Sequence, residues 1–291
     1  MTGTILKGVG GFYTVLSESG ECYTLRAQSK LRRQRITPLV GDRVTFTPGQ
    51  GEQHGWLEAV MERKNQLVRP PIANIDALAL VVAAGAPEPD LLLVDRMLLY
   101  ARENGIEPLL VINKCDQDEG KKREIESQYA GAGIEIFGAS AQTGEGIEAL
   151  KRALQGKIHA LGGQSGVGKS SLINAMYGLS LQTGDISEKI ERGKNTTRHS
   201  ELIPLDGGGM VLDTPGFSLL ELKLMDPGLL EAGYPEFQGL EPCRFSPCAH
   251  IAEPGCAVRR AVEEGAIDRG RWARYKVLYE EMNKRWKERY D

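Results

Sequence analysis

The sequence contains no apolar run approaching the roughly 20 residues that a membrane-spanning helix needs. Its start, Met1-Thr2-Gly3-Thr4, lacks the basic stretch and apolar core of a secretion signal. A cytoplasmic protein without membrane contact is expected, and nothing points beyond a monomer. Cysteine is scarce and odd in number: five in 291 residues, three of them crowded into the last fifty or so. That pattern suits a metal site in a reducing compartment better than a disulfide framework. Internal repeats and low-complexity tracts are also missing. What is left is ordinary globular composition, 41% hydrophobic and 26% charged, in a chain long enough for two or three domains.

The net charge of −3 conceals an asymmetry. Residues 1–70 carry +4 and residues 257–291 carry +3, so the centre carries −10. Basic ends around an acidic middle are compatible with a polyanionic partner touching the ends.

Five β-favouring runs, Thr4–Val9, Tyr13–Leu16, Glu21–Ala27, Arg43–Thr47 and Trp56–Met61, are separated by glycine-rich turns. They predict a small barrel, with the OB-fold as one candidate. Between them Lys30-Leu31-Arg32-Arg33-Gln34-Arg35 reads as a solvated basic loop. Pro70-Pro71 marks a boundary, giving an N-terminal unit over 1–70. From Ile75 strands alternate with helices. Ala77–Ala84, Pro108–Asn113, Ile134–Phe137, Ile158–Leu161, His199–Leu205 and Met210–Leu212 read as strands. Leu91–Asn104 (capped by Asp90 and stopped by Gly105), Gly146–Leu154 and Lys169–Tyr177 read as helices. This is the α/β pattern of a mostly parallel sheet, over 71–222. Residues 223–291 are irregular until a final helix near Asp268–Tyr290. There Trp272, Tyr275, Tyr279, Met282 and Trp286 form one stripe, read as core rather than as a base-stacking surface.

Gly163-Gln164-Ser165-Gly166-Val167-Gly168-Lys169-Ser170, with Ser171 following, fits G-x-x-x-x-G-K-[ST] between a strand and a helix. Its glycines let successive N–H groups curl around phosphate oxygens at a helix N-terminus. Lys169 would reach the β- and γ-phosphates, and the Ser170 hydroxyl would ligate Mg²⁺. Asp213, ending an apolar strand before Thr214-Pro215-Gly216, would serve the outer shell of that ion, leaving the Gly216 N–H for the γ-phosphate. The polar stretch 178–195 reads as a switch loop leading to Thr196-Thr197-Arg198. Thr197 is the candidate second Mg²⁺ ligand, with Thr196 the alternative.

Asn113-Lys114-Cys115-Asp116 fits N-K-x-D. The Asp116 carboxylate can accept from both N1–H and the exocyclic amine of guanine, whereas adenine offers neither. Lys114 would pack along the base and Asn113 would tie neighbouring loops together. Ser140-Ala141-Gln142-Thr143-Gly144 fits S-A-x-x-G, with the Ala141 N–H aimed at guanine O6. All these motifs follow strands, the edge where open α/β sheets bind ligands. Together they predict a site for GTP and GDP.

The base-recognition motifs here precede the phosphate loop, which is a circular permutation of the usual order. Farther on, Cys243, Cys248, His250 and Cys256 supply three thiolates and one imidazole within 14 residues. This is a closed set for a structural zinc. With these features the sequence resembles the ribosome small subunit-dependent GTPase A family over essentially its whole length. The resemblance implies an OB-like N-terminal β-barrel, a circularly permuted P-loop GTPase domain and a zinc-binding C-terminal domain with a long helix. It also implies zinc on the same four positions, binding to the 30S subunit, stimulation of GTP hydrolysis by it, and a role in its late maturation. The basic loop and the final helix would then touch 16S rRNA.

Two positions depart from expectation. Where Ras-like enzymes carry a water-orienting Gln after D-x-x-G, this chain has Phe217. Where the family has His before the Thr pair, it has Asn195. Slow intrinsic turnover and help from a partner are therefore expected. His199 nearby, or a group from the ribosome, are the candidates for completing the site. The competing readings are an RNA-binding module that uses GTP only as a conformational ligand, and the same enzyme acting on tRNA or mRNA.

Overall fold

The computed structural model describes residues 1–49, 54–68, 70–181, 200–213 and 226–288. Strands β1 (Thr2–Val9), β2 (Phe12–Ser17), β3 (Cys22–Ala27), β4 (Arg43–Thr47) and β5 (Gly55–Val60) pair in the closed order β1-β2-β3-β5-β4-β1. Only β3 and β5 run parallel. This is a five-stranded OB-like barrel. Period-2 alternation turns Ile5, Val15, Leu25, Val44, Phe46 and Leu57 into its core. The basic run expected as a loop is instead a short helix, α1 (Ser29–Arg33). Its Leu31 is 1% exposed and plugs the barrel core. A single anchoring apolar side chain in five residues leaves too little periodicity for a helix to be read from sequence.

The hairpin of β6 (Gln66–Leu67) and β7 (Ile72–Ala73) joins the barrel to the next unit. Asp42, fully buried, accepts from Arg63 Nε and Nη2 at 2.7 Å each and from the Leu39 N–H. Lys7 of β1 pairs with Glu201 at 2.5 Å, and among the described residues these two are the strand partners that make barrel and α/β sheet continuous.

The α/β sheet holds β8 (Ala77–Ala83), β9 (Glu107–Asn113), β10 (Glu135–Gly138), β11 (Ile158–Gly162), β12 (Glu201–Pro204) and β13 (Met210–Asp213) in the order β10-β9-β8-β11-β13-β12. All are parallel but β12. Every residue of β8 is buried because both faces are covered. Leu78, Leu80 and Val82 face a core shared with α2 (Leu91–Glu103) and α3 (Glu119–Tyr129). Ala77, Ala79, Val81 and Ala83 face α4 (Ile147–Leu154) and α5 (Lys169–Tyr177). Asp90 caps α2 through the Leu93 N–H, as expected. The polar helix α3, with mostly charged residues, was not legible in the sequence.

The C-terminal unit begins with two 3-10 turns, Pro227–Gly233 and Pro235–Phe237, followed by α6 (Ala257–Glu263) and α7 (Arg269–Glu288). The stripe of α7 is core over Trp272 to Met282: Tyr275 meets Tyr234 and Phe237 edge-on, both at 4.9 Å, Leu278 and Met282 pack beside it and Trp272 and Tyr279 lie against the cluster, whereas Trp286 is not part of it. Among the described residues no helix is long and apolar enough to cross a membrane.

Candidate functional site

Strand order reverses between β8 and β11, and the carboxyl edge at such a switch point is where open α/β sheets bind ligands. The expected phosphate loop springs from β11 at that point and runs into α5. Its backbone could be built from few residues other than glycine. Gly163 has φ +140° and a Cβ there would lie 2.2 Å from the Val81 carbonyl oxygen. Gly168 has φ +93° and a Cβ would meet Asn113 Nδ2 at 2.4 Å. The loop is therefore packed against β8 and β9 as well as turned for anions. Lys169 Nζ donates to the carbonyls of Gly163 at 2.8 Å and Gln164 at 2.7 Å, which holds the ammonium over the loop. Burial lowers its pKa from the usual lysine value. Gln164 Oε1 accepts from the Asp90 N–H at 3.3 Å, joining the loop to the start of α2.

Asn113 ends β9 and is 2% exposed. Its Nδ2 donates to Val167 O at 2.8 Å while its Oδ1 accepts from Ala141 N–H at 3.2 Å. One side chain thus links the phosphate loop to the Ser140–Gly144 loop. Lys114 donates to Gly166 O at 2.9 Å and to Ala86 O, so it too bridges base and phosphate loops. Ser140 is buried; its Oγ accepts from Thr143 N–H and its carbonyl from Gly144 N–H, which closes the loop on itself. Cys115 is buried with its N–H on Ala139 O, and burial raises its thiol pKa. Asp116 follows it at the edge. Ser170 and Ser171 open α5, and Asp213 ends β13, which pairs with β11 two strands from β9. Thr196, Thr197, Gly216, Phe217, Asn195 and His199 lie outside the described residues.

The second cluster is in the C-terminal unit. Ligand atoms of Cys243, Cys248, His250 and Cys256 all lie within 4.8 Å of one another. Cys243 Sγ stands 4.0 Å from Cys256 Sγ and 3.6 Å from His250 Nδ1, and His250 Nδ1 stands 3.3 Å from Cys256 Sγ. A tetrahedral ion with Zn–S bonds of about 2.3 Å sets sulfur–sulfur edges near 3.8 Å, so the set fits a zinc-sized ion. Sequence reasoning missed Glu231, whose Oε2 lies 2.6 Å from His250 Nε2. A ligating imidazole commonly gives its other N–H to a carboxylate, yet nothing in the sequence says which of many acids that is. Trp272 Nε1 and Tyr275 OH donate to the carbonyls of His250 and Ala249, hanging the metal loop on α7.

Equally unannounced is the seam between α2 and α7. Asp95, fully buried, accepts from Arg271 at 2.5 Å, Arg274 at 2.7 Å and Tyr129 OH at 2.5 Å. Arg271 also meets Glu236 at 2.7 Å and lies over the Tyr234 ring at 4.4 Å.

Fold and site together define a P-loop guanine-nucleotide protein in which the base loops come before the phosphate loop. The chain belongs to the RsgA GTPase family, whose model matches residues 60–223, with the RsgA N-terminal domain over 2–57. It is accordingly a GTP hydrolase. It is 46% identical to the small ribosomal subunit biogenesis GTPase RsgA of Caldanaerobacter subterraneus subsp. tengcongensis, over 99% of this chain and 98% of that one. Among solved structures it resembles YjeQ from Thermotoga maritima, with TM-score 0.84 and 39% identity over 97% of this chain and 98% of that one. It also resembles YloQ, described as a circularly permuted GTPase, with TM-score 0.80 and 32% identity over 98% and 95% of the two chains.

Proposed function

We propose that the chain binds the 30S ribosomal subunit, hydrolyses GTP to GDP and phosphate with stimulation by it, and acts in late maturation of that subunit in the cytoplasm. The observation that carries the guanine-nucleotide site is the Asn113 bridge, which draws base and phosphate loops to one sheet edge. The ribosomal half rests on the relatives' function. In this reading Asp116 accepts from guanine N1–H and its amine, and the Ala141 N–H meets O6. Loop amides from Gly163 to Ser171 cradle the phosphates, Lys169 steadies the charge on the transferred group, and Gly216 meets the γ-phosphate. Ser170, Thr197 and Asp213 are the residues that would hold Mg²⁺, which would supply positive charge against the phosphates.

Cys243, Cys248, His250 and Cys256 hold one structural zinc, which would contribute folding energy to a unit with a small core. The monomer is divided at 1–70, 71–222 and 223–291. Its basic ends contact 16S rRNA. With Phe217 and Asn195 where water-orienting groups would stand, the subunit supplies what the chain lacks.

The test is GTP turnover by the purified chain alone, with 30S subunits and with 50S subunits. Stimulation by 30S only is expected. Full activity without subunits, or equal stimulation by both, would contradict the proposal.

A further inference from the structure

The carboxyl edge of the α/β sheet carries a charge arrangement that the nucleotide motifs do not explain. In the antiparallel pairing of β12 with β13, Glu201 stands directly opposite Asp213. Like charges at opposed positions of such a pair destabilise it. The next strand outward belongs to the other unit. It is β1 of the barrel, and its Lys7 is the register partner of Glu201. Three strands thus present a cation, an acid and a second acid in register: Lys7, Glu201, Asp213.

Strand β1 is shaped to deliver that lysine. It pairs with β2 as Ile5–Val15 and then Lys7–Thr14, so Leu6 is the extra residue of a β-bulge. Strict alternation would send Lys7 to the face of Ile5, which is barrel core; the bulge shifts the phase. Ile5 stays in the barrel core, and Leu6 joins the α/β core that also holds Leu202 and Leu212. Lys7 is left at the edge, its Nζ donating to Glu201 Oε2 at 2.5 Å with the two side chains 40% and 45% exposed. An ion pair that open to water adds little stability. Leu6 and the β6–β7 hairpin already join the two units, so a mere tether is a poor account of it.

We propose that Lys7 is a positioning residue for GTP hydrolysis, supplied by the barrel. It neutralises Glu201, so that Asp213 keeps its place at the end of β13 without repulsion from the acid opposite. Lys7 acts through Glu201 and not on the nucleotide. The field at Asp213 then depends on the barrel being seated against β12. This rests on the reading above for the role of Asp213.

The experiment measures steady-state GTP hydrolysis by the full chain at saturating Mg²⁺. It compares the unaltered protein with Lys7→Ala, Glu201→Gln, Lys7→Ala combined with Glu201→Gln, Lys64→Ala and Asp213→Ala. Lys7→Ala is expected to lower kcat by roughly 3- to 5-fold, the scale of one cross-strand pair. The KM for GTP should stay unchanged, and the deficit should shrink at high salt. Adding Glu201→Gln should restore kcat, because it removes the acid that Lys7 offsets. A lysine that only tethered the barrel would not be rescued in this way. Lys64→Ala breaks an ion pair with Asp76, also 2.5 Å long but at the opposite edge of the sheet, and should leave kcat as it was. Urea unfolding without nucleotide or Mg²⁺ gives a second readout: Lys7→Ala should lower the midpoint at low salt and the double variant should recover it. A kcat for Lys7→Ala equal to that of the unaltered chain overturns the proposal, as does a double variant no faster than Lys7→Ala. The reading above fails separately, if Asp213→Ala hydrolyses GTP as fast as the unaltered chain.

Discussion

At the scale of single residues, the site depends on groups whose loss has distinct signatures. If Asp116 reads guanine, Asp116→Ala leaves the ring N1–H and the exocyclic amine unpaired, and GTP affinity should fall by about 10³-fold or more. ATP, which never used the carboxylate, should bind as weakly as before. Competition titration with a fluorescent GTP analogue measures this, and retained GTP preference would remove Asp116 from the base site. His159 makes a prediction about pH. It is wholly buried in β11, between the Lys157 carbonyl at 3.2 Å and Tyr177 OH at 3.0 Å. Burial drops its pKa from 6.5 to about 4. Between those values the unfolded chain takes up a proton that the folded one refuses, so this contribution is complete above pH 6.5 and disappears as pH falls towards 4. At 1.36 kcal/mol per unit it amounts to about 3 kcal/mol. Urea unfolding of His159→Gln and the unaltered protein at pH 7 and pH 4.5 should show the smaller acid loss in the variant; equal losses would show that His159 does not set this dependence.

At the scale of elements, the metal loop is built from outside itself. Cys243, Cys248, His250 and Cys256 sit on a loop whose carbonyls are held by Trp272 and Tyr275 of α7 and whose imidazole is held by Glu231 of a 3-10 turn. Glu231→Gln should therefore lower zinc affinity by about 10- to 100-fold, the usual penalty for losing such a partner. Competition with a chromogenic chelator reads it, and an unchanged affinity would make Glu231 a bystander. The four ligands were legible because their spacing in the chain is local; Glu231 was not, because only folding carries it to the ring. Helix α1 shows the converse failure, since its one apolar residue, Leu31, signals nothing until the barrel is closed around it. The core assignment of the α7 stripe held from Trp272 to Met282 for a plain reason. Residues spaced 3 and 4 apart share a face wherever the helix docks.

At the scale of the whole molecule, two seams decide how the units act together. After Asp213 the chain passes through residues 214–225, which lie outside the described residues, to the C-terminal unit. That unit is fastened back onto α2 by Asp95, Arg271, Arg274 and Tyr129, and α2 begins at Asp90, which touches Gln164 of the phosphate loop. Asp95→Ala would leave the buried Arg274 without its carboxylate and Arg271 with Glu236 alone, and should cost about 3–5 kcal/mol. Replacing the polar set with apolar residues of similar volume should cost much less. Urea denaturation followed by tryptophan emission compares them, Trp272 lying in the affected unit. A mild Asp95→Ala would mean that water reaches the seam and screens the charges.

By itself the sequence determined what is local or repeated. That covers barrel strands, parallel strands, the N-K-x-D, S-A-x-x-G and phosphate-loop motifs, and the clustered Cys243, Cys248, His250 and Cys256, because period, spacing and turn chemistry act over a few residues. Tertiary structure alone decided what brings distant positions into contact: Asn113 spanning two loops, Glu231 on His250, Asp95 between two arginines about 180 residues away in the chain, and Lys7, Glu201 and Asp213 in register across three strands. A carboxylate or an asparagine looks the same in sequence whether it meets water or a partner. Only the packing that removes water makes the partner obligatory.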